Sequence, residues 1–223
     1  MGADVSNKPI SPSRDAPTLP RRRLSHDARK NEIVLAATEL FAEVGFDGST
    51  RDVALRAGIT QPLLYRYFPN KESLIEAVYT KVYLDRWNPT WDELLQDRSR
   101  PVKDRFQKFY EAYTQTIFDS TWLRISSFAA LRNADIHHWY NQVVQEMILK
   151  PLVRERRNEL TGDNNFIVTK DELAVPWMIH GGLVDYGMRR YILKSDTILD
   201  TPTAISHALD MYLSFTKENI VPH

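Results

Sequence analysis

There is no cysteine in this chain, which removes disulfides, thiolate zinc sites and cysteine nucleophiles together. Glycine is scarce, eight in 223 residues, and neither a phosphate-binding glycine loop nor a nucleophile elbow can be assembled from them. Enzyme chemistry has no motif to rest on, and no cofactor is expected. An excess of one charge is lacking too. With 29 basic residues against 29 acidic ones, the chain is not built to coat a polyanion through bulk charge. No apolar run approaches the roughly 18 residues that would span a bilayer, and no apolar leader opens the chain. The expectation is a cytoplasmic protein with no membrane partner, against which stands only the myristoylation-like pattern of Gly2 and Ser6. What remains is the composition of a globular protein, 43% hydrophobic and 11% aromatic, with enough chain to bury a substantial core.

Residues 1–24 carry Pro9, Pro12, Pro17 and Pro20 among small polar residues and read as a disordered arm. Its Arg21-Arg22-Arg23 run suits either a phosphate-seeking tail or a solubilising one. Over residues 25–44, Ile33, Ala36, Ala37, Leu40, Phe41 and Val44 keep helical spacing up to Gly45. Residues 48–72 then pack several starts and stops into little chain. Thr50 is placed to cap a short helix whose inner face is Val53, Ala54 and Ala57, and Gly58 ends it. Thr60 caps a second helix, with Pro62 in the first turn where no N–H is lost and Leu64 and Phe68 four apart. Pro69 stops that helix, Asn70 caps the next, and Lys71 stands at its beginning. Two short helices about a tight turn are the arrangement that lays a recognition helix in a DNA major groove. Local charge agrees: residues 20–71 hold nine Lys/Arg against six Asp/Glu.

The rest of the chain is helical in pattern. A helix from 70 to about 86 shows Leu74, Ile75, Val78 and Val82 on one face and breaks at Trp87-Asn88-Pro89. A short turn at 91–96 precedes a helix opened by Pro101, with Val102, Phe106, Phe109, Tyr110, Tyr113 and Ile117 on one broad face. Helices at about 121–132 and 135–160 follow, the second bent at Pro151, then a loop at 161–169 and helices at 170–193 and 202–219. No strand pattern or repeat occurs. The fold class is all-α, about nine helices, with a three-helix head at 25–70 on a larger helical body at 71–223. His137-His138 is no metal site, because neighbours on a helix point about 100° apart and no carboxylate pair completes a ligand set.

Phe41, Gly45-Phe46, Thr50, Val53-Ala54, Ala57-Gly58-Ile59-Thr60, Leu64-Tyr65, Tyr67-Phe68 and Asn70-Lys71-Glu72 followed by Leu74 resemble, in type and spacing, the TetR family of bacterial transcriptional regulators. The resemblance covers about residues 29–79. It implies a regulator, most often a repressor, that binds a palindromic operator as a homodimer and is released by a small-molecule effector. Gln61, at the start of the second helix, suits adenine N6 and N7, and Pro62 suits a thymine methyl. This Gln-Pro pair is similar to the founding tetracycline repressors, whereas many relatives have glycine at the proline position. Arg66 suits guanine or a phosphate, while Thr50, Thr60, Tyr65, Tyr67 and Lys71 match positions that usually touch the DNA backbone. The family also implies a pocket in the body. Its candidates here are Phe106, Tyr110, Trp122, Trp139, Trp177 and His180, suited to an apolar or aromatic effector. For the dimer, the last two helices offer Gly181-Gly182, Leu183, Tyr186 and Gly187 facing a stripe of Leu209, Tyr212, Leu213 and Thr216. The alternative is a helical enzyme or scaffold whose head no longer reads DNA, which predicts no sequence preference.

Overall fold

The computed structural model describes residues 25–219 except 133, 164, 197 and 198, and side chains from 132 to 137 are outside the description. The arm at 1–24, with Gly2 and Arg21–Arg23, and His137 of the histidine pair lie outside it. Among the described residues there are helices and turns and no strands.

The head is built by capping. Helix α1 (His26–Val44) begins where the Ser25 hydroxyl accepts the Ala28 N–H at 3.2 Å and ends at Gly45, whose φ of +73° suits a residue without a side chain. Its core face is the expected one with one exception. Val44 is 52% exposed, because it sits at the last position and points past the core that Val34 and Ala42 help to fill. A 3₁₀ turn (Gly45–Asp47) leads to α2 (Thr50–Arg56). Its cap is Ser49 rather than the expected Thr50. Ser49 has Asp52 three residues on, and the two close a reciprocal box: the Ser49 hydroxyl accepts the Asp52 N–H at 3.1 Å, and the Asp52 carboxylate accepts the Ser49 N–H at 3.3 Å. Gly58, with φ of +64°, turns the chain. Thr60 caps α3 (Gln61–Tyr67) through the Leu63 N–H, Pro62 occupies the first turn, and Asn70 caps α4 (Lys71–Val82) through the Ser73 N–H at 2.8 Å.

Helix α4 carries the head into the body and stops at Val82, short of the expected 86. Tyr83 leaves helical geometry, which lets its fully buried ring reach Tyr113, with the two hydroxyls 3.2 Å apart. After a 3₁₀ turn (Leu84–Arg86) come α5 (Thr90–Gln96), α6 (Val102–Ile117) and α7 (Ser120–Arg132). All six residues of the expected α6 face are fully buried, and this helix is the axis of the body. Helices α8 (Ala134–Val144) and α9 (Lys150–Thr161) form one rod interrupted by a π turn (Gln145–Leu149). Pro151 explains the interruption: it has no N–H for the Met147 carbonyl and its ring crowds that carbonyl, so the ladder slips and the Lys150 N–H reaches back to Gln145. The rod ends at Gly162 in left-handed geometry.

Helix α10 (Ala174–Gly187) runs into a second π turn (Met188–Leu193), and α11 (Thr201–Asn219) closes the described chain. Helices α6 and α10 lie side by side in the same direction, since Tyr110 meets His180 at 6.3 Å and, two turns on, Phe118 meets Gly187. Long-range ion pairs tie the body together. The Glu155 carboxylate receives Arg98 at 2.8 and 3.0 Å and the buried Arg105 at 2.8 Å, while Arg156 donates to the Thr216 hydroxyl and the Leu213 carbonyl.

Candidate nucleic-acid interface and ligand pocket

Helix α3 buries Leu64 and turns Pro62, Tyr65 and Arg66 outward. Gln61, at its first position, is half-buried, and its amide nitrogen donates to the Thr50 hydroxyl at 2.9 Å. That hydroxyl also pairs with the Tyr65 hydroxyl at 3.0 Å. Thr50 is only 7% exposed, so it faces its own head rather than a DNA backbone. The reason is the Ser49 cap, which frees the Thr50 side chain to turn inward. Thr60 is exposed, but its hydroxyl serves the helix start. Tyr67 is half-buried with its ring 4.7 Å from His26, a contact with no sequence signal. Lys71, at the start of α4, donates to the Phe46 carbonyl and so holds the turn between α1 and α2. The structure thus splits the eight candidates into an outward pair, Pro62 and Arg66, an exposed Tyr65 ring whose hydroxyl is tied to Thr50, and a set tied to the head itself.

The basic margin of the head is partly spent internally. Arg56 grips Glu43 at 2.6 and 2.9 Å, and that hydrogen bond holds the Glu43 carboxyl below its usual range. Arg29 pairs with Glu32 at 2.6 Å. Arg51 and Arg66 remain exposed, on α2 and α3.

Residues 33–78 match the family model described as bacterial regulatory proteins, tetR family. Over these residues the head is a TetR-family DNA-binding unit. The class A tetracycline repressor of Escherichia coli transposon 1721 is 47% identical over 49 residues, covering 22% of this chain and 23% of that protein. The transcriptional repressor KstR2 of Mycolicibacterium smegmatis is 30% identical over 130 residues, 58% of this chain and 52% of that one. The chain thus matches from about a quarter to about half of the length of these relatives. The crystal structure of a TetR-family regulator from Pseudomonas syringae pv. tomato shares the fold over 86% of this chain and 98% of its own, with a TM-score of 0.62 at 19% identity.

In the body the expected pocket residues are mostly core. Phe106, Tyr110, Trp122 and His180 are buried, and Trp139 and Trp177 are half-buried, edge-on to Tyr79 at 6.0 Å and to His180 at 6.4 Å. Rings at such separations fill one another's space. An open volume lies one to two helical turns further along. A cavity of about 270 Å³ sits between α6, α10 with its π turn and the start of α11, lined by Thr114, Phe118, Leu183, Gly187, Arg190 and their neighbours. None of the six expected residues lines it. Gly187 shapes one wall, since a Cβ there would stand 3.1 Å from Phe118. No sequence signal marked these residues as a group, because they come from four segments.

Two groups in the ring cluster itself are short of partners. The Tyr110 hydroxyl and His180 Nδ1 are buried with no hydrogen bond among the described residues, while His180 Nε2 pairs with the Tyr140 hydroxyl at 3.2 Å. Burial lowers the His180 pKa from its ordinary 6.5 to about 4, so the imidazole is neutral at pH 7, and burial raises the phenols of Tyr110, Tyr113 and Tyr140. This ring cluster is uncharged. Among the described residues no cluster of three His, Asp or Glu could hold a metal, and no helix is long and apolar enough to cross a membrane.

Proposed function

We propose that this chain is a cytoplasmic transcriptional repressor that grips a palindromic operator as a homodimer and releases it when a small apolar or aromatic molecule enters the body. The observation that carries this is the face of α3, where Pro62 and Arg66 are exposed and the half-exposed Tyr65 ring, its hydroxyl held by Thr50, stands beside the Gln61 amide. A helix N-terminus bearing an amide, an aromatic hydroxyl and a guanidinium suits base edges and phosphates in a major groove.

A dimer is supported by α10 and α11, through Gly181 and Gly182 as the sequence suggested but otherwise through different residues. Leu209, Tyr212 and Thr216 are buried inside their own subunit, as are Leu183 and Gly187. The other side of the pair is apolar and uncovered: Met178 is 75% exposed and Met211 68%, with Phe215 one turn beyond. Gly181 and Gly182 stand in the same region, and a Cβ on either would meet nothing within 4 Å. Two mid-helix glycines cost about 1 kcal/mol each, and nothing within the subunit requires them. A second copy approaching closely does.

Release by an effector is supported by contacts that run from the cavity to the head. Met188, in the π turn beside the cavity, meets the Ser127 hydroxyl of α7 at 3.7 Å. The next residue, Phe128, lies over Gly45 at the end of α1, and the Phe46 carbonyl beyond it takes Lys71. A ligand that moved α10 would press on the head through α7, and DNA would oppose that ligand by the same coupling factor.

Selection from a pool of randomised duplexes with the full chain tests the reading. The expected product is a two-fold sequence bound by two chains, and Met211→Glu with Phe215→Glu should give monomers in sedimentation and lose operator affinity. A pool that shows no enrichment rejects DNA reading and leaves a helical scaffold or enzyme.

A further inference from the structure

The Thr50 hydroxyl occupies a position that backbone contact does not explain. It is buried, it belongs to α2, and it takes hydrogen bonds with two residues of α3, Gln61 at 2.9 Å and Tyr65 at 3.0 Å. A threonine side chain is stiff at χ1, and this one is packed, so its oxygen is a fixed point. Gln61 is the opposite: an unbranched side chain at a helix start, with several rotatable bonds whose ordering on DNA opposes binding. The hydrogen bond joins the fixed point to the flexible reader before any DNA arrives.

We propose that Thr50 is a positioning residue for base recognition: it accepts the Gln61 amide proton trans to Oε1, leaving Oε1 and the other N–H as a preset edge for adenine. Adenine offers N6–H as donor and N7 as acceptor in the major groove, the complement of that edge. The turned-over amide, with Oε1 accepting from Thr50, would instead present two N–H groups and suit the acceptors of guanine. Because Thr50 sits on the first helix of the motif, specificity at this base depends on the packing of α2 against α3 as well as on the reader. The inference rests on α3 being the recognition helix.

The test uses the full-length protein and the duplex it selects from a randomised pool. Affinity is measured for that duplex, for duplexes substituted one base pair at a time, and for a scrambled duplex, each at several salt concentrations. Wild type should discriminate an A·T pair at one symmetric pair of positions. Gln61→Ala and Thr50→Val should each lose that discrimination by about tenfold per half-site, the double variant should lose no more than either alone, and Thr50→Ser should keep it. Binding to scrambled DNA and the salt slope should not change in Thr50→Val. Where Thr50→Val folds poorly, Thr50→Ala repeats the comparison, with the melting temperature as control. If Gln61→Ala erases the preference and Thr50→Val or Thr50→Ala keeps it, Thr50 does not position the reader, and base reading by Gln61 stands. A uniform loss across all duplexes with a shallower salt slope in Thr50→Val makes Thr50 a phosphate contact and overturns the proposal. Preference for G·C at the Gln61-dependent position overturns the adenine edge. If Gln61→Ala leaves every preference intact, base reading itself fails and the positioning role falls with it.

Discussion

The head and the body use polar groups over different ranges. In the head, Ser25, Ser49, Thr60 and Asn70 each satisfy a helix start three residues away, and the longest ties, Lys71 to Phe46 and Thr50 to Tyr65, remain within the motif. In the body, Glu155 is served by Arg98 and Arg105 from 57 and 50 positions away, Arg156 is tied to Thr216, and His180 to Tyr140. Local closure makes the head a unit whose surface side chains can vary to suit an operator without disturbing its helices. Distant closure makes the body cooperative, so that a change in one wall of the cavity is felt by several helices together. The proposed DNA reader would benefit from the first arrangement and the proposed ligand-responsive core from the second.

The contrast can be broken most forcefully at the ion pairs. Arg105→Ala removes one of two cations from a buried carboxylate, and urea unfolding should show a loss of about 3–5 kcal/mol. Burial alone would raise the Glu155 pKa, but the hydrogen bonds from Arg98 and Arg105 bring it below its ordinary value, so this contribution is present above the carboxylate range and fades as pH falls through it. A loss in Arg105→Ala no larger than that of a surface pair, below about 1 kcal/mol, would contradict a body held by distant ties.

The joint between the regions comes next. Gly45→Ala forces a side chain onto φ of +73° with ψ of −167° and places its Cβ 2.9 Å from the Phe128 ring, so thermal unfolding should show a loss of about 2–3 kcal/mol. Phe128→Ala in the same chain should relieve part of it. Full additivity of the two changes would mean that α7 does not press on the head there.

His180 gives a smaller, pH-dependent effect. Its folded pKa is depressed, so the unfolded chain binds the extra proton: stability is complete above about 6.5 and declines as pH falls toward about 4. Between pH 7 and 5 the wild type should lose about 2 kcal/mol more than His180→Gln, read from paired urea titrations. Parallel curves would show that the imidazole is hydrated in solution.

The smallest effect is expected where the head is local. Lys71→Ala removes one charged hydrogen bond to a carbonyl and should cost about 1 kcal/mol of stability. If the ammonium also meets a phosphate on DNA, the salt slope falls by about one per contact, and an unchanged slope confines Lys71 to its structural bond.

How much was legible follows this same division. Gly58, Pro62, Pro69 and Asn70 act on chain three or four residues away, and their placement was readable directly. Thr50 was misread although the answer was in view, since Asp52 stands three residues after Ser49 and marks the true cap. The α6 face was readable because one stripe on a central helix has only one place to go. Helix α11 defeated the same logic, as it carries two apolar faces: Leu209 and Tyr212 turn to their own subunit, Met211 and Phe215 to solvent. Periodicity finds such faces without saying which one the subunit keeps.

By itself, the sequence determined the all-helical class, the order of the elements and the helix-turn-helix, because caps, glycines, prolines and helical spacing act over one or two turns. The tertiary structure alone decided that Phe106, Tyr110 and Trp122 are buried among other rings, that a cavity lies beside Gly187, and that Thr50 faces Gln61. Those outcomes depend on gaps of a few tenths of an ångström between side chains distant in sequence, and no local pattern records them.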